Sequence, residues 1–115
     1  MIEKKYRLSE REVKKVLSKG KPFFSYSLVF KKIPSKLSYA RFAIVISGKS
    51  VPNAVVRNSF RRSFYIFMKE NADTLRGDIV CIISSKIKLG SDTECYKKIH
   101  SEWKYILEKK LGKNI

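Results

Sequence analysis

The sequence predicts an α+β fold, a single α-β-β-β-α-β-α sandwich with a four-stranded mixed sheet and helices packed on it. Three observations support this. The chain has 115 residues, enough for one hydrophobic core and too few for two. Period-two apolar alternation and helical 3.6-residue periodicity take turns along it. A strand ending near Ser47, a helix, and a strand from Asp78 form a β-α-β unit, so those two strands are expected to run parallel. No linker, repeat or low-complexity segment divides the chain, so residues 1–115 read as one domain.

The first helix starts at a capping box, with Ser9 as cap and Glu12 three residues on. Leu8 and Val13 stand at the spacing of a hydrophobic staple, and Val13, Val16 and Leu17 share an apolar face. Gly20 is expected to end the helix in a left-handed conformation. In "KPFFSYSLVFKK", Phe24, Tyr26, Leu28 and Phe30 alternate with Phe23, Ser25, Ser27 and Val29. Pro22 suggests an edge or a break, hence a short strand followed by a longer one. "YARFAIVIS" is a further alternating run, with Phe42, Ile44 and Ile46 on one side.

After the turn "GKSVPN", Asn53 caps a helix running to about Asn71. The unbroken apolar centre of "GDIVCIISS" suggests a central strand buried on both faces. Ser91 and Glu94 form a second capping box before a helix whose core face is Tyr96, Ile99, Trp103, Ile106 and Leu107. Gly112 stops that helix.

Charge is the clearest pointer to function. Lys and Arg number 26 against 10 acidic residues, a formal charge of +16. Between Glu12 and Glu70 there is no acid at all, and 13 of the cations lie there. Concentrating like charge in half of a small domain is costly unless a polyanion neutralises it, and nucleic acid is the first candidate. The competing reading is a basic solubilising surface or a lysine-favouring genome.

The helix "NAVVRNSFRRSF" focuses the question. Val56, Phe60, Phe64 and Phe67 lie along one stripe, with Ser63 beside it, and should face the sheet. Arg57, Asn58, Arg61, Arg62 and Tyr65 project from the other side. Repeated cations at this spacing repel by a few tenths of a kcal/mol per pair. Arginine suits phosphate because its planar fork donates two hydrogen bonds. Asn58 can read a base edge or hold a sugar, and Tyr65 can stack on a base. The alternative is a solvated cationic face, or arginines paired with distant acids after folding.

Protein-borne catalysis has little to work with. His100 is the only histidine and reads as structural beside Tyr96 and Trp103. Cys81 and Cys95 have neither CxxC nor zinc spacing and read as packing thiols in a reducing, cytoplasmic compartment. "SGKS" lacks the upstream glycine of a phosphate loop. The scattered carboxylates do not suggest a two-metal site. No apolar run approaches the roughly 20 residues needed to cross a bilayer.

"NAVVRNSFRR", with "RFAIVIS" upstream, a β-α-β frame around it and "RLSEREVKKVLSKG" before it, resembles the protein subunit of bacterial ribonuclease P over nearly the whole chain. Arg41, Lys49, Ala54, Arg57, Asn58, Arg61 and Arg62 fall at places matching that family's basic signature. Ser59 replaces the signature's second arginine, Tyr65 a later basic position, and Gly48 one of its paired lysines.

The resemblance implies a cofactor of a ribozyme. The catalytic RNA subunit, using Mg2+ held mainly by RNA and substrate, removes the 5′ leader of precursor tRNA, and the protein carries no catalytic residue or metal of its own. RNA-binding residues are expected at Arg41, Lys49, Arg57, Asn58, Arg61, Arg62 and Tyr65. A leader cleft between the first helix and the sheet is expected to use Val13, Leu17 and Phe30. The family often has aromatics at the two helix positions. With aliphatic residues there, leader affinity should rest more on Phe30, one base stacked on a ring being worth about 1–3 kcal/mol. Val13 and Leu17 read equally well as core. The resemblance further implies a left-handed β-α-β crossover, against the right-handed rule. Expected partners are the catalytic RNA and precursor tRNA, with no membrane and no obligate protein partner. The alternatives are a structural, ribosomal-type RNA-binding protein of similar fold and a protein that binds anionic membrane surfaces.

Overall fold

A computed structural model describes residues 4–25, 28–46, 51, 53–71, 75–83 and 93–108, with side chains of the last segment described from residue 97. After a short 3-10 turn (Lys4–Tyr6) come α1 (Glu10–Lys19), β1 (Lys21–Phe24), β2 (Leu28–Ile33), β3 (Arg41–Ile46), α2 (Ala54–Asn71), β4 (Asp78–Ile83) and α3 (Thr93–Ile106). The strands form one mixed sheet in the order β1-β2-β4-β3. β4 is antiparallel to β2 and parallel to β3, so the expected β-α-β unit joins sheet neighbours.

The helices divide between the two faces of the sheet. Phe23, Leu28, Phe30, Phe42, Ile44, Ile46, Ile79, Cys81 and Ile83 point to one side. There they meet Phe60, Phe64, Phe67 and Met68 of α2, and Ile99, Trp103 and Ile106 of α3. Phe64 and Trp103 make an edge contact at 5.3 Å between ring centres. Burial pushes the Cys81 thiol well above its ordinary pKa, as befits a packing residue. On the opposite face Val16 of α1 covers Ala43 and Val80, flanked by Leu8, Val13, Leu17, Ile33 and Ile82. β4 contributes to both cores, which explains its unbroken apolar run.

Three local features fix this arrangement. The capping box forms in full: the Ser9 amide donates to Glu12 Oε1 at 2.8 Å, and the Glu12 amide to Ser9 Oγ at 3.3 Å. Asn53 Oδ1 accepts from the Val55 amide at 2.8 Å and caps α2. Gly77 has φ of 96°, and a Cβ there would lie 2.6 Å from the Ile33 carbonyl oxygen, so this turn requires glycine.

Gly20 departs from expectation. Its backbone is extended, at φ −70° and ψ 145°. Glycine is needed for room instead: a Cβ would sit 2.5 Å from the Val16 carbonyl and 2.9 Å from Lys31 Cβ.

The alternation in "KPFFSYSLVFKK" also breaks where the chain turns. Phe23 pairs with Phe30, and Phe24 with Val29. Phe23, not Phe24, therefore shares the core face with Leu28 and Phe30. Tyr26, Ser47, Gly48, Lys49, Ser91, Gly112 and the side chains of Glu94, Cys95 and Tyr96 lie outside the described residues.

Candidate nucleic-acid interface

α2 spans 18 residues and buries its phenylalanine stripe, which leaves the stripe Asn58, Arg61, Arg62 and Tyr65 outward. Arg7 joins it from elsewhere in the chain. The segment before α1 pairs with β3 through a parallel bridge, Arg7 with Phe42, and the Leu8 amide donates to the Phe42 carbonyl at 2.9 Å. This pairing sets Arg7 beside the α2 stripe. Arg7, Asn58, Arg61, Arg62 and Tyr65 together line a pocket of about 400 Å³. Arg7 lies outside the acid-free stretch that holds the other cations, and its partner Phe42 is remote in sequence.

Among the described residues no carboxylate lines this pocket. Arg61 Nη1 donates to Asn58 Oδ1 at 3.1 Å, which orients both side chains on one surface. None of the ion pairs among the described residues uses Arg7, Arg61 or Arg62. Tyr65 is half-buried, with its ring edge-on to Phe64 at 5.5 Å. Burial raises the pKa of its hydroxyl, against the opposing effects of Arg7, the Ile44 backbone and Arg61. Tyr65 thus forms a wall of the pocket. Arg57 is partly committed to the fold: Nη1 donates to the Val51 carbonyl at 2.8 Å and ties the helix to the loop before it.

Arg41 requires a correction. Its Nε and Nη2 bind Asp78 Oδ1 and Oδ2 at 2.9 and 2.8 Å, and Nη1 lies 2.5 Å from Glu12 Oε2. Arg41 and Asp78 face each other across β3 and β4, and Asp78 is only 6% exposed. The hydrogen bond to Asp78, with the charges of Asp78 and Glu12, raises the Arg41 pKa despite partial burial. Glu12 is held below the ordinary carboxylate value, first by the Ser9 amide, then by the Ser9 hydroxyl and Arg41. Arg41 is therefore an internal clamp joining α1, β3 and β4, and it is not in the outward-facing cluster.

Phe30 requires a second correction. It is 0% exposed and packs toward Phe64, with ring centres 6.4 Å apart, on the face away from α1. Val13 and Leu17, both half-buried, pack on the α1 face. The three cannot line one cleft. The strand register names what lies beside α1 instead. Phe24, Val29, Ile82 and Val45 form a row across all four strands on the α1 face. Phe24 is 64% and Val45 36% exposed, at the two ends of the row. Lys31 points to the same face and donates from Nζ to the Leu17 carbonyl at 2.8 Å, near the end of α1.

Among the described residues no group of three or more His, Cys, Asp or Glu side chains could hold a metal ion. His100 lies edge-on to Phe67 at 4.8 Å. No described helix is long and apolar enough to cross a membrane.

A basic α+β domain with helices on both faces of a four-stranded sheet and an arginine pocket on its central helix defines the class to which this protein belongs. The ribonuclease P family model matches residues 2–109. The ribonuclease P protein component of Fusobacterium nucleatum subsp. nucleatum is 32% identical over 87 residues, 75% of this chain and 77% of that one. The chain belongs to the ribonuclease P protein family.

Solved structures agree at the level of fold. A Staphylococcus aureus RNase P protein mutant with defective mRNA degradation activity superposes with a TM-score of 0.75 at 22% identity, covering 91% of this chain and 87% of the other. The Thermotoga maritima RNase P protein in complex with 1-(4-fluorophenyl)-2-thiourea gives 0.69 at 21% identity, covering 86% and 94%.

Proposed function

We propose that this protein is the RNA-binding subunit of a ribonuclease P whose catalysis is carried by RNA, and that it assists Mg2+-dependent removal of the 5′ leader from precursor tRNA. The observation that carries this reading is the pocket of Arg7, Asn58, Arg61, Arg62 and Tyr65, lined among the described residues by three guanidinium groups and no acid, in a member of this family. Guanidinium forks without internal carboxylates are suited to phosphate oxygens, and the phosphate backbone supplies most of the affinity in such interfaces. The catalytic RNA is the proposed occupant. Magnesium is assigned mainly to RNA and substrate, with no step performed by a side chain of this protein.

The leader is proposed to lie on the α1 face of the sheet, along the row Phe24, Val29, Ile82 and Val45, bordered by α1 with Val13 and Leu17. An exposed phenyl ring beside apolar residues offers a sequence-tolerant surface for an unpaired base. Lys31 adds charge from the same face.

Reconstitution tests the reading. With a bacterial ribonuclease P RNA and a precursor tRNA, added protein should raise cleavage at low Mg2+ and lower the KM for precursor. RNA binding without stimulated cleavage would move the protein to a structural RNA-binding role.

A further inference from the structure

A second cationic surface lies on the other edge of the sheet. Lys19 at the end of α1, Lys21 on β1 and Lys32 on β2 surround a pocket of about 380 Å³ floored by Phe23, Ile33 and Pro34, with no carboxylate among the described residues of its lining. Lys21 and Lys32 are direct cross-strand partners. Lys21 Nζ sits 5.6 Å from the centre of the Phe23 ring, which holds its charge over the pocket. Burial lowers the Lys32 pKa, so an incoming anion would favour its charged form.

The two basic surfaces are on different strands' edges. β1 and β3 are the outer strands of the β1-β2-β4-β3 sheet, and α2 packs toward β3. Four strands at about 4.8 Å spacing put roughly 14 Å of sheet between the edges. Consecutive phosphates on one strand are closer than that, so one phosphate group or its neighbour cannot serve both sites.

We propose that the Lys19–Lys21–Lys32 pocket is a second RNA-backbone contact, which holds a single-stranded segment with its phosphates on the lysines and its sugars or bases over Phe23, Ile33 and Pro34. The protein then grips RNA at two separated places. This rests on the RNA-binding reading above, and the experiment separates the two.

Binding of a labelled oligouridylate is measured against salt for the intact chain, for a Lys19→Gln/Lys21→Gln variant and for an Arg61→Gln/Arg62→Gln variant. Each neutralised contact to a single strand removes about 0.7 from the slope of log K against log salt. The lysine variant should lose about 1.4 by that measure, and combining the variants should give the sum. Lys19 and Lys21 are both exposed, so neutralising them should leave the melting temperature unchanged. An unaltered slope in the lysine variant, with a reduced slope in the arginine variant, overturns the second contact and leaves the RNA reading standing. Unaltered slopes in both overturn the RNA reading. Loss of binding to phosphatidylserine vesicles in the lysine variant, with oligouridylate binding intact, would assign the pocket to a lipid surface and overturn the proposal.

Discussion

Arg41 and Arg61 belong to the same acid-free stretch of sequence, yet the fold gives them opposite fates. Arg41 reaches two carboxylates, Asp78 and Glu12, and closes the space between α1 and the sheet. Arg61 meets Asn58, Arg7 and Arg62 in a pocket with no acid among its described lining residues. Phe30 and Phe24 divide in the same way, one enclosed against Phe64 and the other 64% exposed beside α1. A residue's type names what it can do. Whether that capacity is spent inside the fold depends on what folding brings opposite it.

The contrast can be broken at several points, beginning with the enclosed phenylalanine. Phe30→Ala should cost about 3–5 kcal/mol in urea unfolding, as for other large-to-small core changes. A stable Phe30→Ala protein with selectively weakened precursor binding would return Phe30 to the leader cleft. Asp78→Asn should cost about 1.5–3 kcal/mol, since Arg41 loses its charge-assisted pair with a buried carboxylate while keeping Glu12. At a temperature where the variant stays folded, its RNA affinity should be unchanged. A stability-neutral Asp78→Asn with reduced RNA affinity would instead make Arg41 part of the interface.

Changes to the outward-facing set should show the reverse pattern. Arg61→Gln with Arg62→Gln should reduce the salt slope for binding the catalytic RNA by about one unit for each phosphate released. Stability should stay within about 0.5 kcal/mol of the parent. Phe24→Ala should weaken precursor tRNA relative to mature tRNA by about 1 kcal/mol, a modest stacking contribution, measured by competitive binding. Equal weakening of both substrates would remove Phe24 from the leader path.

The smallest expected effect is pH-dependent. Glu12 is depressed below its ordinary value of 4.5, so its contribution is present above that pH and is lost as pH falls through the folded-state value. Acid titration of the melting temperature should show this loss, and Glu12→Gln should flatten the profile. An unchanged profile would mean that the Ser9 and Arg41 interactions add little to stability.

Much of the fold was legible because its signals are local. The Ser9–Glu12 box, the Asn53 cap and the phenylalanine stripe of α2 each arise within a few residues. The parallel pairing of β3 and β4 followed from the helix between them. What escaped was set by distant partners or by a change of side. Asp78 is 37 residues from Arg41, and sequence spacing carries no sign of their pairing. The turn between β1 and β2 resets which phenylalanine faces inward, so a continuous alternation misassigned Phe24. Arg7 reached the α2 stripe only through a backbone bridge to Phe42.

That bridge has a structural consequence beyond the arginine it places. β3 is an outer strand, and the outward amides and carbonyls of such an edge are a template for a strand from another molecule. The stretch around Arg7 occupies part of that rim through its own backbone. Peeling it away would therefore forfeit an anchoring cation and open a template for self-association in the same movement.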